Sequence, residues 1–181
     1  MTDLADALHL AGRFEESQAY YLQLRELSPL KLVFDNQDLS TISTVRMAFA
    51  FQQMGEEAAA EAAIAAHRED LARREELEVH FFSDHLAEAM ARTIEGDSEG
   101  ALDSLRTAID LGFRDRLFFR EPAMQSMVQN PDFLALKAEV DQLLAIEHDQ
   151  VLQLICNENP IPDIWQPMDD TCMGVVREAS T

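Results

Sequence analysis

Two small sets of side chains have the types and spacing to support chemistry. His85 and Glu88 stand three apart, with Asp84 beside them and His80 a turn earlier, so a helix there would bring imidazoles and carboxylates to one side. That is a metal-type spacing, and a metal-dependent sensor or enzyme centred on His80, Asp84, His85 and Glu88 is one reading. It lacks an HExxH or a paired CxxC pattern, and a solvated helix face explains the same residues. The second set is Cys156 and Cys172, which flank NENPIPDIWQPMDDT. In an oxidising compartment a bridge there would hold the tail, contributing on the order of 3 kcal/mol for a loop of that size; two free thiols are the alternative.

Other polar residues lack the company that chemistry needs. His67 falls on an apolar stripe and suits a core histidine, and neither His9 nor His148 has triad-like neighbours. The six glycines form no GxGxxG or P-loop string, and FDNQD lacks the glycine and the distal glutamate of a calcium loop. No catalytic set, metal or cofactor is therefore expected.

The elements that must carry these residues read as helices. Leu4, Ala5 and Leu8 make a first apolar stripe that Gly12 ends; Phe14, Ser17, Tyr21, Leu24 and Leu27 make a second that Pro29 stops. Ala5 and Ser17 are small where two helices would cross, and Leu8, Phe14 and Tyr21 fill the space beside that crossing. Gly55 and Gly96 close two further first helices, so units repeat at 43 and 41 residues. The second unit offers Met47, Ala48, Phe51, Ala60 and Ile64, and the third Ala89, Ala101, Leu105, Ala108 and Leu111.

GRFEESQAYYLQLRELSP resembles the second half of a tetratricopeptide (TPR) motif, with Leu24 where the family's third small residue is usual. In the second unit Glu57 and His67, and in the third Ser98, also depart from the family's residue types. The resemblance implies an all-α, TPR-like superhelix of antiparallel helix pairs. GALDSLRTAIDLGF, LFFREPAM and NPDFLAL are similar to the C-terminal region of bacterial multidomain signalling proteins, in which such arrays follow a winged-helix regulator or a nucleotide-cyclase domain. That similarity implies a sensory or interaction module and not an effector.

The expected organisation is three helix pairs over 1–112, a helical extension over 113–155 and a Pro-rich tail over 156–181. Helices are expected near 2–11 and 14–27, from an Asp38 cap to Met54, from Glu56 into the 70s, from a Ser83 or Asp84 cap to Ile94, and over 98–111. Pro122 and Pro131 each look like first-turn residues of short helices, with Asn130 capping the second. A long amphipathic helix follows from Asp132, apolar at Phe133, Leu136, Val140, Leu143, Leu144, Val151, Leu152 and Ile155. It would cover the last exposed face of the array.

In the family, first helices line a concave groove. Carried onto this chain, the groove positions are Asp6, His9, Leu10, Val45, Phe49, Gln52, Gln53, Leu86, Met90, Thr93 and Ile94. The resemblance implies that they receive a partner segment or a second copy, the alternative being that each packs inside the molecule. Trp165 among prolines should dock, beside the last helix or in the groove as a built-in ligand.

Net charge is −20, from 34 acidic against 14 basic residues, which repels phosphate backbones and argues against direct nucleic-acid binding. Apolar content of 47% with 7% aromatic suits an Ala- and Leu-rich helical protein. No stretch reaches the roughly 18 apolar residues that span a bilayer. A first helix starting almost at Met1 suggests a piece of a longer chain, whose N-terminal edge would favour end-to-end dimers. The compartment is periplasmic if the parent is membrane-anchored and cytoplasmic otherwise; a passive structural spacer is a further reading.

Overall fold

A computed structural model describes residues 2–27, 37–78, 81–158 and 172. The described residues are helical, with no strand among them. In order they form α1 (Thr2–Leu10), α2 (Phe14–Leu27), α3 (Gln37–Gln53), α4 (Glu57–Glu76), α5 (Phe82–Glu95) and α6 (Ser98–Asp110). Two short 3-10 segments, Arg116–Arg120 and Pro122–Met127, lead into α7 (Pro131–Glu158).

Helix ends follow from local chemistry. Gly96 takes φ 84° after α5, and the next two amides, Gly96 N–H and Asp97 N–H, return to the carbonyls of Thr93 and Arg92. A side chain at that φ is strained, so glycine is the residue that lets the chain reverse there. Asp97 then caps α6, its carboxylate accepting from Gly100 N–H at 3.0 Å. Asn130 does the same for α7, accepting from Asp132 N–H at 2.9 Å, so Pro131 opens the long helix itself and not a short separate one. Asp38 lies inside the first turn of α3, since that helix begins at Gln37. Asp84 is likewise not a cap residue: α5 begins at Phe82, and the Asp84 carboxylate reaches back to accept from Phe81 N–H at 3.4 Å.

The chain divides into two compact units, Met1–Lys137 and Ala138–Thr181. In the first, α1 pairs with α2, α3 with α4 and α5 with α6, and the first helices stand in a row, α3 touching both α1 and α5. Ala5 and Ser17 are fully buried where α1 meets α2, which lets those backbones approach. Residues 113–137 belong to this unit too. Phe113, Phe118, Phe119 and Phe133 form a chain of ring contacts, with centroids 5.4–6.3 Å apart, that joins the first 3-10 segment to the start of α7. Met124 and Met127 are buried beside them, and the second segment lies against α5.

The second unit holds the rest of α7, where Ile146, Val151 and Leu154 are exposed. A disulfide joins Cys156 to Cys172, with their Cα atoms 5.7 Å apart. Trp165 and His80 lie outside the described residues, as do Asp35, Asn36 and Pro29; the side chains of Leu24 and Leu27 are likewise not described.

Candidate functional site

The row of first helices is where the resemblance places the working surface, and much of it is covered by the chain itself. Glu121, between the two 3-10 segments, is only 2% exposed and inserts its carboxylate toward α1 and α3. There it pairs with the guanidinium of Arg46, which also bonds Asp6 at 2.9 Å. Asp6 in turn accepts from the Tyr21 hydroxyl at 2.5 Å. His9 lies 3.7 Å from Glu121 and packs edge-on against Phe14 and Phe49. Neither of its ring nitrogens has a hydrogen-bond partner.

The electrostatics of this cluster follow from its dryness. Burial, with Arg46 adding repulsion, lowers the His9 pKa to about 3, so the ring is neutral at ordinary pH. Burial also raises the Glu121 pKa, with Asp6 helping and Arg46 opposing. The Tyr21 hydroxyl is pushed up by burial and by Asp6 and stays protonated as a donor.

An open trough along the first helices is therefore corrected at five positions. His9, Val45, Leu86, Met90 and Thr93 are buried. At Thr93 and His9 the physical reason is a later segment, with the Thr93 hydroxyl 3.5 Å from Met124 Sδ and Glu121 beside His9; Val45, Leu86 and Met90 are buried on helices packed against their neighbours. Asp6 and Phe49 are half-buried within the same cluster. Exposure is left to Leu10, Gln52 and Gln53, with Ile94 half-buried. Releasing the segment would expose four phenylalanines and two methionines, each worth roughly 1.5–3 kcal/mol of burial, so it is core and not a lid.

A second polar cluster joins α4, α5 and α6. Arg74 is buried and bonds Asp70 at 3.0 Å and Asp84 at 3.2 Å. Glu88 receives Arg92 at 2.8 Å and Arg68 at 3.3 Å, and the buried ring of His67 stands 3.5 Å from it. Burial works against ionisation of Glu88, but His67 and the two guanidiniums outweigh it and hold the pKa at about 2. Burial raises the Asp84 pKa, with Arg74 opposing. Thus Asp84 and Glu88 are engaged by arginines, His85 is half-buried, and no group of three or more His, Cys, Asp or Glu side chains among the described residues could hold a metal.

Two clefts open beside Arg68. The larger, about 570 Å³, runs between the first half of α4 and the last turn of α5, over Ala60, Ile64, Ala65 and Ile94. Gln52 reaches its edge from α3 and donates to the Ile94 carbonyl at 3.2 Å. The smaller, about 310 Å³, lies over Leu71 and Ser104 between α4, α5 and α6. These clefts form because α4 approaches α5 far less closely than α2 approaches α3. Of the expected groove residues, only Gln52 and Ile94 line either one. Glu121, Arg46, Arg68 and Arg74 went unmarked in the sequence; an acid held between two phenylalanines and a proline was the one signal that pointed to Glu121.

No family model matches the chain, and no curated protein or solved structure is similar to it. No described helix is long and apolar enough to cross a membrane.

Proposed function

We propose that the chain is a TPR-like protein-interaction and signal-input module that works by docking a partner segment and passing that state to an attached effector domain. The observation that carries this reading is the row of three antiparallel helix pairs, each reversing at a glycine of positive φ, at Gly12, Gly55 and Gly96. A row of pairs exposes many equivalent inter-helix surfaces, which suits recognition of extended or helical segments. Because Glu121 and the segment Pro122–Met127 lie against the first helices, docking falls to the exposed clefts and helix ends. Asp84 and Glu88 are spent on arginines, which favours docking over metal chemistry at that cluster. The Cys156–Cys172 bond suits an oxidising compartment, as the periplasmic part of a membrane-anchored regulator would meet.

Selection of binders from a random peptide library tests this reading, followed by mapping of each on the full chain by amide exchange. Peptides that bind with micromolar affinity and protect the hairpin faces support it. A library that yields no binder to the folded chain overturns it in favour of a passive spacer. Exposed Leu4 and Leu10 on α1 favour self-association as a second mode of docking. Sedimentation of the wild type against Leu4→Glu/Leu10→Glu measures it: a dimer lost in the variant is the expected result.

A further inference from the structure

The cleft between α4 and α5 has an apolar floor and a rim that is mainly acidic. Ala60 and Ile64 are buried in the floor, and Ala65 and Ile94 border it. Around it stand Glu57, Glu61 and Glu95 against a single guanidinium, Arg68. Arg68 is already committed, bonding Glu95 at 2.7 and 2.8 Å and Glu88 at 3.3 Å. Glu57 and Glu61 are exposed on successive turns of α4, and neither pairs with a described cation. The C-terminal ends of α3 and α5 also meet this edge, at Gln52 and at Ile94 and Glu95, and α3 has no basic residue in its last turn. The C-terminus of α3 carries partial negative charge with no basic residue against it and adds to the carboxylates, whereas the last turn of α5 holds Arg92 and the first turn of α4, at Glu57, has the opposite partial charge.

An apolar floor with an unneutralised acidic rim fits a side chain that is apolar along its stem and cationic at its tip. We propose that this cleft receives a basic amphipathic segment of a partner protein, its lysine or arginine stem lying over Ile64 and Ile94 and its charged head reaching Glu57 and Glu61. The inference rests on the docking function proposed above and names the site and the chemistry of the partner. A chain of net charge −20 would speed encounter with such a segment, while the floor supplies the contact that charge alone cannot. The cluster of His9, Arg46 and Glu121 takes no part.

The test uses the full chain and two 18-residue probes, a Leu/Lys amphipathic helix and the same peptide with every Lys made Glu, followed by fluorescence anisotropy near physiological salt. The Lys probe is expected to bind and the Glu probe to bind at least tenfold more weakly. Glu57→Lys/Glu61→Lys should weaken the Lys probe at least tenfold, and Ala65→Arg, which fills the cleft without removing a carboxylate, should do the same. Glu15→Lys/Asp110→Lys makes the same change of net charge at exposed positions outside the cleft lining, at the start of α2 and the far end of α6, and should cost less than threefold. Circular dichroism checks that each variant is folded. Equal losses in the two charge-reversal pairs, or no loss in Ala65→Arg, would overturn the proposal, because attraction would then be a property of the whole surface. If neither probe binds while library peptides of neutral or acidic character do, this assignment fails and the docking function stands. If nothing binds, both fail.

Discussion

Two histidine–glutamate–arginine clusters in this chain show how burial and partner number set opposite outcomes for the same groups. At the first, His9 and Glu121 meet one guanidinium, Arg46, which is shared with Asp6, and the Glu121 side chain is 3% exposed. Burial prevails there and raises the carboxyl pKa. At the second, Glu88 is 14% exposed at its side chain and receives two guanidiniums besides the ring of His67, and its pKa falls to about 2. A single shared arginine does not repay desolvation; two arginines at a partly wet site do. The first cluster is accordingly structural and sealed. The second borders open clefts, and the docking surface proposed above begins at its Arg68.

The largest effect that would break this contrast is at Arg46. Arg46→Met leaves Asp6 and Glu121 without their shared cation, and urea unfolding should show a loss of about 3–5 kcal/mol. Replacing Glu121 by Met as well should recover part of it, since a buried charge is then removed along with its partner. A loss under 1 kcal/mol in the single variant would mean that water reaches the first cluster.

His9 sharpens the contrast through pH. Its folded pKa of about 3 lies below the unfolded value of 6.5, so the unfolded chain binds the proton first. Its contribution to stability is therefore full above pH 6.5 and declines as pH falls from 6.5 toward 3, with a slope of up to about 1.4 kcal/mol per pH unit. Glu121 acts in the opposite sense, because its raised pKa lets the folded state take up a proton before the unfolded one. His9→Phe should flatten the decline in a pH series of melts, and an unchanged slope would place its origin elsewhere. Glu88 has its own window: its depressed pKa stabilises the fold above the unfolded value near 4.5 and is lost as pH falls toward 2.

Smaller effects belong to the second region. Asp97→Ala removes the cap of α6 and one partner of Arg92, and should lower stability by about 1 kcal/mol. Arg68→Ala, at a side chain 43% exposed, should cost under about 1 kcal/mol and less still in high salt. A cost as large as that of Arg46→Met would show the two clusters to be equivalent and undo the distinction drawn here.

The helix pairs were legible in the chain because their signals are local. Glycine after an apolar stripe, Asn130 before α7, and small residues at Ala5 and Ser17 each act within a few residues of themselves. Groove positions were not legible in that way. Val45, Leu86, Met90 and Thr93 are buried, and nothing within α3 or α5 tells an open apolar face from a covered one. Thr93 meets Met124 and His9 meets Glu121, both from a later segment of the chain that no signal within α1, α3 or α5 announces.

The sequence by itself determined where most helices stop and reverse, and that net charge would repel nucleic acid, since backbone freedom and net charge depend on neighbours in the chain or on totals. Only the tertiary structure decided that Glu121 seals the row of first helices, that Asp84 and Glu88 are held by arginines, and that α4 and α5 part to leave a cleft. Those outcomes depend on which residues distant in the chain remove one another from water, and desolvation is a property of the packed interior.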